Sequence, residues 1–249
     1  MRIVVGHLYP EYLNIYADRG NIAVLARRAA WRGHELVVRP IAADALIEPD
    51  DDLLYIGGGQ DREQALVAHD LAAKAEQVLT AAAGGAAVLA VCGGYQLLGR
   101  FYSAANGEEL PGVGLFPLHT VAGNRRMIGD ILLECELEPG ERRTLAGFEN
   151  HAGRTHLDAG AEALGRVVAG FGNDGASGFE GCRVGRAIGT YLHGPLLPRN
   201  PWFADWLLAQ AIAHRTGGEP PRFDPLPDEL EHEAHAVASR RARERGGRF

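Results

Sequence analysis

The sequence predicts an α/β fold in which a mostly parallel sheet is flanked by helices. Three short, largely apolar runs carry this prediction, at residues 53–56, 86–91 and 187–192, and each is followed within one residue by glycine. Runs of this length are typical of strands that are buried on both faces of a parallel sheet. The alanine-rich or apolar-periodic segments elsewhere indicate helices that cover the sheet.

The remaining elements follow from the same patterns. Further strands are predicted at residues 2–6 and 36–39, and helices at 22–31, 61–83, 202–214 and 228–245. Asp18 or Asn21 could cap the helix at 22–31. Residues 111–189 are glycine-rich and predict an antiparallel extension that continues the same sheet, with strands at 113–116, 128–137, 144–148, 167–169 and 178–185.

The chain divides into two parts. Residues 1–216 are expected to form the α/β domain, and residues 217–249 a glycine- and proline-rich linker followed by a C-terminal helical tail. The tail is acidic early and basic late, which complements the dipole of a helix. It would either pack on its own domain or dock on a partner.

Composition is that of an ordinary globular protein, with 249 residues, 46% hydrophobic and 23% charged. The net charge of −7 gives the molecule no general attraction for nucleic acid. No apolar run reaches the length of a membrane span, and no secretory signal opens the sequence. The cysteines at 92, 135 and 182 form no zinc spacing and suit a reducing compartment, so we expect a cytoplasmic protein.

Cys92 stands between a predicted strand and a predicted helix and is followed by Gly93 and Gly94. A side chain at such a junction is held on a sharp turn at the carboxyl edge of the sheet, as in hydrolases with a nucleophile elbow. The start of the helix favours a thiolate, and the N–H group of Gly93 can face an oxyanion. A buried structural cysteine is the alternative interpretation.

Three glycines, residues 57–59, follow the strand at 53–56. Their backbone N–H groups could hold an anion or an oxyanion, and we expect Gly58 or Gly59 to supply a second oxyanion donor. A phosphate-binding loop is excluded because no GK[ST] follows and no GxGxxG is present. A plain tight turn is the alternative.

His193, like Cys92, follows a predicted buried strand. Because the carboxyl ends of parallel strands meet at one edge of a sheet, we expect the two side chains to lie together. Cys92 would attack an acyl carbon as a thiolate, and His193 would take the thiol proton and return it to the leaving amine. Amide hydrolysis through a thioester is therefore the predicted reaction class, although the spacing does not identify the amide.

Polar residues of the glycine-rich region offer further functions. Arg125 and Arg126 are either a solvated charged face or a guanidinium fork for a substrate carboxylate. His151 and His156 match no standard metal spacing, so no metal site is expected.

Several segments together resemble the class I glutamine amidotransferases. These segments are residues 13–21, GGGQDREQA (57–65), CGGYQLLG (92–99), residues 128–131, GFENHAGRT (147–155) and GTYLHGP (189–195). More narrowly, they resemble the branch of cobyric acid synthase and, within it, the glutaminase subunits of lipid II isoglutaminyl synthases.

The resemblance implies hydrolysis of L-glutamine to glutamate and ammonia, with Arg126 and Gln96 binding the substrate. Ammonia would pass to a separate Mur-ligase-like (MurT-type) subunit in a heterodimer. That partner would use ATP and Mg²⁺ to amidate the D-glutamate α-carboxylate of lipid II, so no cofactor is expected in this chain. We expect no membrane span, although the acceptor lies in a membrane.

One position departs from the pattern. Many class I amidotransferases carry a glutamate two residues after the catalytic histidine, where this chain has Pro195. The third catalytic residue must come from elsewhere, and Asp18 and Glu149 are candidates. We favour Asp18 because it follows the first strand.

Other functions fit parts of the pattern. A module for cobyrinate-type cofactor amidation is the nearest, but its synthetase domain is usually fused to the same chain. A non-catalytic regulatory subunit would not need Cys92 and His193. A cysteine peptidase on a related sheet is a third possibility.

Overall fold

The computed structural model describes residues 1–15 and 19–245, which form two sheets and six helices. The strands are β1 (Arg2–Leu8), β2 (Glu35–Ile41), β3 (Leu53–Ile56), β4 (Ala87–Val91), β5 (Phe101–Ser103), β6 (Glu109–Pro111), β7 (Leu118–Glu136), β8 (Arg142–Leu157), β9 (Gly165–Ala169), β10 (Phe179–Glu180), β11 (Cys182–Val184) and β12 (Ala187–Thr190). The helices are α1 (Arg19–Trp31), α2 (Asp61–Ala73), α3 (Ala75–Ala83), α4 (Gly93–Leu97), α5 (Pro201–Thr216) and α6 (Glu229–Arg245), with a 3-10 turn at Leu197–Arg199.

The first sheet is the predicted parallel one. Its strand order is β11-β12-β4-β3-β1-β2, and only the edge strand β11 runs antiparallel to its neighbour among these strands. Every residue of β3, β4 and β12 is buried, which is why these strands have no polar alternation in the sequence.

The glycine-rich region forms a second sheet of order β10-β9-β7-β5-β6, with β8 paired to β7. The prediction that the glycine-rich region continues the first sheet is therefore wrong for β7 to β10, although β11 does extend the first sheet as an antiparallel edge strand. Most pairings of the second sheet are antiparallel, as expected. The long strands β7 and β8 pair with each other along most of their length, and β9 takes the other edge of β7. An isolated bridge between Phe148 and His193 links this sheet to the end of β12.

Two sequence predictions are wrong in the helical and loop regions. The helix predicted at 61–83 divides at Lys74, where ψ is 6° and the buried ammonium group pairs with Asp70. Residues 113–116 are not a strand. The N–H groups of Val113 and Phe116 instead bond to the carbonyl oxygens of Leu97 and Leu98, and so satisfy the end of α4.

The predicted caps of α1 have different outcomes. Asn21 lies within α1 and is buried; its amide donates to the Tyr55 hydroxyl and accepts the N–H of Leu197, so it does not cap the helix. Asp18 lies outside the described residues.

The C-terminal helix packs on its own chain. Helix α6 lies against β7, β8 and β9, and Ala242 is buried with Leu132 and Ala146. At the start of this segment Asp228 binds the buried guanidinium group of Arg28, which also binds Asp205. These contacts show that the tail packs on its own domain, which is one of the two options that the sequence offers.

Two further findings concern membrane-spanning helices and the cysteines. No helix formed by the described residues is long and apolar enough to cross a membrane. The three cysteines are free and buried.

Candidate active site

Cys92 stands at the junction between β4 and α4, as the sequence predicts. Its backbone has φ 49° and ψ −106°, a conformation that a side-chain-bearing residue adopts only when its surroundings hold it there. The Cys92 N–H bonds to the carbonyl oxygen of Thr190 at 2.8 Å. The residue is 5% exposed, and it lines a cavity.

The glycine turn after β3 lies directly beside this junction. The Gly94 N–H bonds to the Gly57 carbonyl at 3.1 Å, and the Ile15 N–H bonds to the Gly58 carbonyl at 3.2 Å. The Gly58 carbonyl and the Gly59 N–H belong to one peptide group and point in opposite directions. Because the carbonyl faces Ile15, the Gly59 N–H points away from Ile15. A Cβ atom on Gly93 would lie 2.9 Å from the Gly59 nitrogen, so the two backbones approach too closely for any side chain at residue 93.

Gln64 supports this turn and was not singled out from the sequence. It is 2% exposed and lines the same cavity as Cys92. Its Nε2 donates to the Gly59 carbonyl at 3.2 Å. The signal that could have found it is its place in the GGGQDREQA segment.

His193 follows β12, which is the parallel neighbour of β4 with Thr190 opposite Val91. The ends of the two strands therefore lie side by side, as predicted. His193 is fully buried. Its backbone N–H donates to the Phe148 carbonyl at 2.7 Å, and its carbonyl accepts the Phe148 N–H at 3.3 Å. The Arg199 guanidinium group donates to the carbonyl of the next residue, Gly194, at 2.9 Å.

The GFENHAGRT segment places the imidazole of His151 in the cavity wall. The His151 ring stacks on Tyr191 with centroids 3.5 Å apart, and its Nε2 lies 3.7 Å from Glu149 Oε2. Burial lowers the pKa of His151; the Glu149 carboxylate opposes this shift, and His193 adds to it. His156 lies elsewhere, beside the ring of His119 at 5.4 Å.

Glu149 is fully buried and accepts the N–H groups of Phe171 and Gly172 at 2.6 and 3.0 Å. Its carboxylate thus stabilises the turn after β9 and faces His151.

A chain of buried hydroxyl groups fixes Gln96, which is also in the cavity wall. Gln96 Nε2 donates to the Tyr191 hydroxyl at 3.0 Å. That hydroxyl lies 2.6 Å from Thr155 Oγ1, which lies 2.7 Å from Thr120 Oγ1. The orientation of the Gln96 amide is therefore set by Tyr191, which follows β12, and through it by Thr155 and Thr120 of the second sheet.

The cavity has a volume of about 390 Å³, in the range of small-molecule sites. Arg126 lines it, and the guanidinium group donates to Asn150 Oδ1 and to the Asn150 carbonyl, both at 2.9 Å. Arg125 instead uses its carbonyl to accept a hydrogen bond from Arg154 at 2.8 Å. Within residues 1–15 and 19–245, no three His, Cys, Asp or Glu side chains are grouped as a metal site would require.

A profile of the CobB/CobQ-like glutamine amidotransferase domain matches residues 4–201. The chain belongs to this family. The match covers both sheets, the Cys92 junction and His193, and it ends at the start of α5.

Curated relatives agree with this assignment. The chain is 38% identical over 237 residues to the lipid II isoglutaminyl synthase (glutamine-hydrolyzing) subunit GatD of Staphylococcus aureus, covering 95% of this chain and 93% of that protein. It is 37% identical to the same subunit of Streptococcus pneumoniae, covering 95% and 92%. A cobyric acid synthase from Synechococcus is 32% identical over 75% of this chain but only 36% of its own length.

Solved structures share the fold. A PurLQS structure from Thermotoga maritima superposes with a TM-score of 0.56 at 17% identity, covering 78% of this chain and 88% of that chain. The glutaminase domain of Trypanosoma brucei CTPS with bound acivicin gives 0.53 at 11% identity, covering 88% and 96%. At these identities the likeness shows the fold alone.

Proposed function

We propose that this chain is a glutaminase subunit that hydrolyses L-glutamine to glutamate and ammonia through a thioester on Cys92. The observation that carries the proposal is the position of Cys92 on a strained turn in the wall of a 390 Å³ cavity that also contains Arg126. Arg126, held by Asn150, would bind the substrate carboxylate, and Gln96 would contact the substrate beside Cys92.

The reaction would proceed in two halves. Cys92 Sγ attacks the carboxamide carbon of glutamine, and His193 takes the thiol proton and passes it to the departing nitrogen as ammonia forms. Water then attacks the thioester with His193 as the base, which releases glutamate and restores the thiol. The adjacent ends of β4 and β12 support this pairing of residues.

The oxyanion of both halves would be held by backbone N–H groups of Gly93 and of Gly58 or Gly59. The near contact of Gly59 with Gly93 favours Gly59 as the second donor. Loss of one such donor costs on the order of 100- to 1,000-fold in rate in other enzymes.

Asp18 is proposed as the residue that orients the His193 imidazole. Glu149, the other candidate, already accepts two backbone N–H groups and faces His151. Because the Glu149 carboxylate is already engaged in these contacts, we favour Asp18 for this role.

The partner would be a separate Mur-ligase-like subunit of the MurT type, forming a heterodimer in the cytoplasm. Two relatives that match over more than 90% of both chains carry the name of a lipid II isoglutaminyl synthase subunit, which supports this assembly. The partner would bind ATP and Mg²⁺ and amidate the D-glutamate α-carboxylate of lipid II with the ammonia released here.

The test uses the complex of this chain with the candidate ligase, ATP, Mg²⁺ and glutamine labelled with ¹⁵N in its side-chain amide. The proposal predicts that ¹⁵N appears in the stem peptide of lipid II and that Cys92→Ala removes this transfer while free ammonium chloride still supports amidation. Transfer at the wild-type rate by Cys92→Ala, or transfer to a cobyrinate-type acceptor but not to lipid II, would contradict it.

A further inference from the structure

The cavity beside Cys92 carries charges of both signs. Arg126 and Arg62 contribute guanidinium groups, and Asp61 is the one carboxylate among the described residues that line it. A free α-amino acid carries a carboxylate and an ammonium group on one carbon. A wall with both guanidinium and carboxylate groups can therefore bind both of these charged groups.

Asp61 is held in place by a buried hydroxyl. Tyr102 on β5 is 1% exposed, and its hydroxyl donates to Asp61 Oδ1 at 3.0 Å. Burial and the Asp61 charge raise the pKa of Tyr102, so the hydroxyl keeps its proton and remains a donor. The bond fixes the carboxylate without neutralising its charge.

The opposite charge is fixed in a similar way. The Arg126 guanidinium group is anchored by neutral Asn150, which lies on β8 of the same sheet as Tyr102. Asp61 itself begins α2 directly after the glycine turn, where the start of a helix favours an anionic side chain. Within residues 1–15 and 19–245, no ion pair joins the Asp61 carboxylate to the Arg126 guanidinium group, and both residues line the cavity.

We propose that Asp61 is a specificity-determining residue that binds the α-ammonium group of the substrate. This inference rests on the proposed glutaminase function and deepens it. The Asp61 carboxylate and the Arg126 guanidinium group select a zwitterionic amino acid head, and amides that lack the amino group bind poorly. The substrate class is thus α-amino acid amides of glutamine length, not simple carboxamides.

The test measures covalent labelling of Cys92, which does not require turnover. The probes are 6-diazo-5-oxo-L-norleucine and 6-diazo-5-oxohexanoate, which differ only in the α-amino group. In each case the sulfur bonds to the diazo carbon, the thiol proton goes to that carbon, and N₂ leaves. Rates are followed by intact-protein mass spectrometry for the full chain.

Wild-type protein is expected to react faster with the amino probe by about 10- to 100-fold, the range for a hydrogen bond between charged groups. Asp61→Asn should bring the ratio of the two rates close to one, and Tyr102→Phe should reduce it less. Asp224→Asn in the exposed linker is the matched control and should leave the ratio unchanged. Iodoacetamide labelling reports the intrinsic reactivity and folding of the Cys92 site in each variant.

The outcomes separate the two proposals. If iodoacetamide labels wild-type Cys92 and neither diazo ketone does, the glutaminase proposal fails. If the amino probe is preferred and Asp61→Asn keeps that preference, or if wild type shows no preference, the role of Asp61 is overturned.

Discussion

At the scale of single residues, the backbone of Cys92 holds the thiol-bearing residue on a strained turn between β4 and α4. The apolar run before Cys92 and the glycines after it indicate a sharp turn at a strand end, and the structure has that turn with φ 49°. A backbone in such a region costs about 1–3 kcal/mol, which surrounding contacts such as the bond to Thr190 must offset. The Tyr102–Asp61 pair has no comparable signal, because it joins elements that are distant in sequence. Gln64 contacts Gly59 within the GGGQDREQA segment, and that segment is its only sequence signal.

The role proposed for Asp18 can be tested by one substitution. Asp18→Asn keeps the size of the side chain but removes the charge that would orient and stabilise the His193 imidazolium. We expect kcat for ammonia release from glutamine to fall about 100-fold or more, with iodoacetamide labelling of Cys92 unchanged. A steady-state assay of the complex measures this. Unchanged turnover would remove Asp18 from the mechanism.

At the scale of elements, α6 is tied to the segment that carries His193. His235 Nδ1 lies 3.0 Å from both the Arg199 carbonyl and Asn200 Oδ1, and its Nε2 lies 2.8 Å from Thr144 Oγ1. The Asn200 amide in turn donates to the Ala146 and Leu196 carbonyls at 2.9 and 2.7 Å. The tail therefore stabilises the connection between β12 and α5.

Removing the imidazole should weaken this connection. His235→Ala leaves half-buried donors and acceptors without their partner, and we expect the free energy of unfolding to fall by about 1–3 kcal/mol. Urea unfolding followed by circular dichroism measures it. His232→Ala, on an exposed turn of the same helix, is the matched control and should change stability by less than about 0.5 kcal/mol. Equal effects of the two substitutions would show that α6 does not stabilise the segment through His235.

The order of elements was predictable, but their ends and partners were less so. The buried strands of the first sheet lack polar alternation and are recognised from composition alone. The break at Lys74 follows no glycine or proline, and residues 113–116 look like a strand although their N–H groups satisfy the end of α4. The break therefore has no signal in the sequence, and the loop at 113–116 depends on tertiary contacts that periodicity does not report.

On the scale of the whole molecule, two sheets meet around a buried carboxyl group. Glu180 accepts the Tyr191 N–H at 2.6 Å and contacts Thr190 Oγ1 at 3.0 and 3.1 Å. Burial raises the pKa of Glu180 from 4.5 to about 8, against these hydrogen bonds and with a smaller contribution from Glu149. This group is not apparent from the sequence, because residues 111–189 were expected to continue the first sheet and not to form a second sheet against it.

The raised pKa makes stability depend on pH. Between pH 5 and 8 the folded protein keeps a proton on Glu180 that the unfolded chain has lost, so the free energy of unfolding falls as pH rises. This group contributes at most about 1.4 kcal/mol per pH unit. Glu180→Gln keeps both hydrogen-bonding partners without titrating. The stability difference between wild type and Glu180→Gln should therefore shrink or reverse from pH 5 to pH 8 in urea titrations. Parallel pH profiles would show that Glu180 titrates normally.

The central claim is that glutamine is hydrolysed through a thioester on Cys92. The most direct measurement is acid-quenched mass spectrometry of the complex during turnover of glutamine, together with ammonia release. We predict a glutamyl adduct on the peptide that contains Cys92 in the wild type, and neither adduct nor ammonia release in Cys92→Ala. Ammonia release that persists in Cys92→Ala, or an adduct on another residue, would contradict the claim.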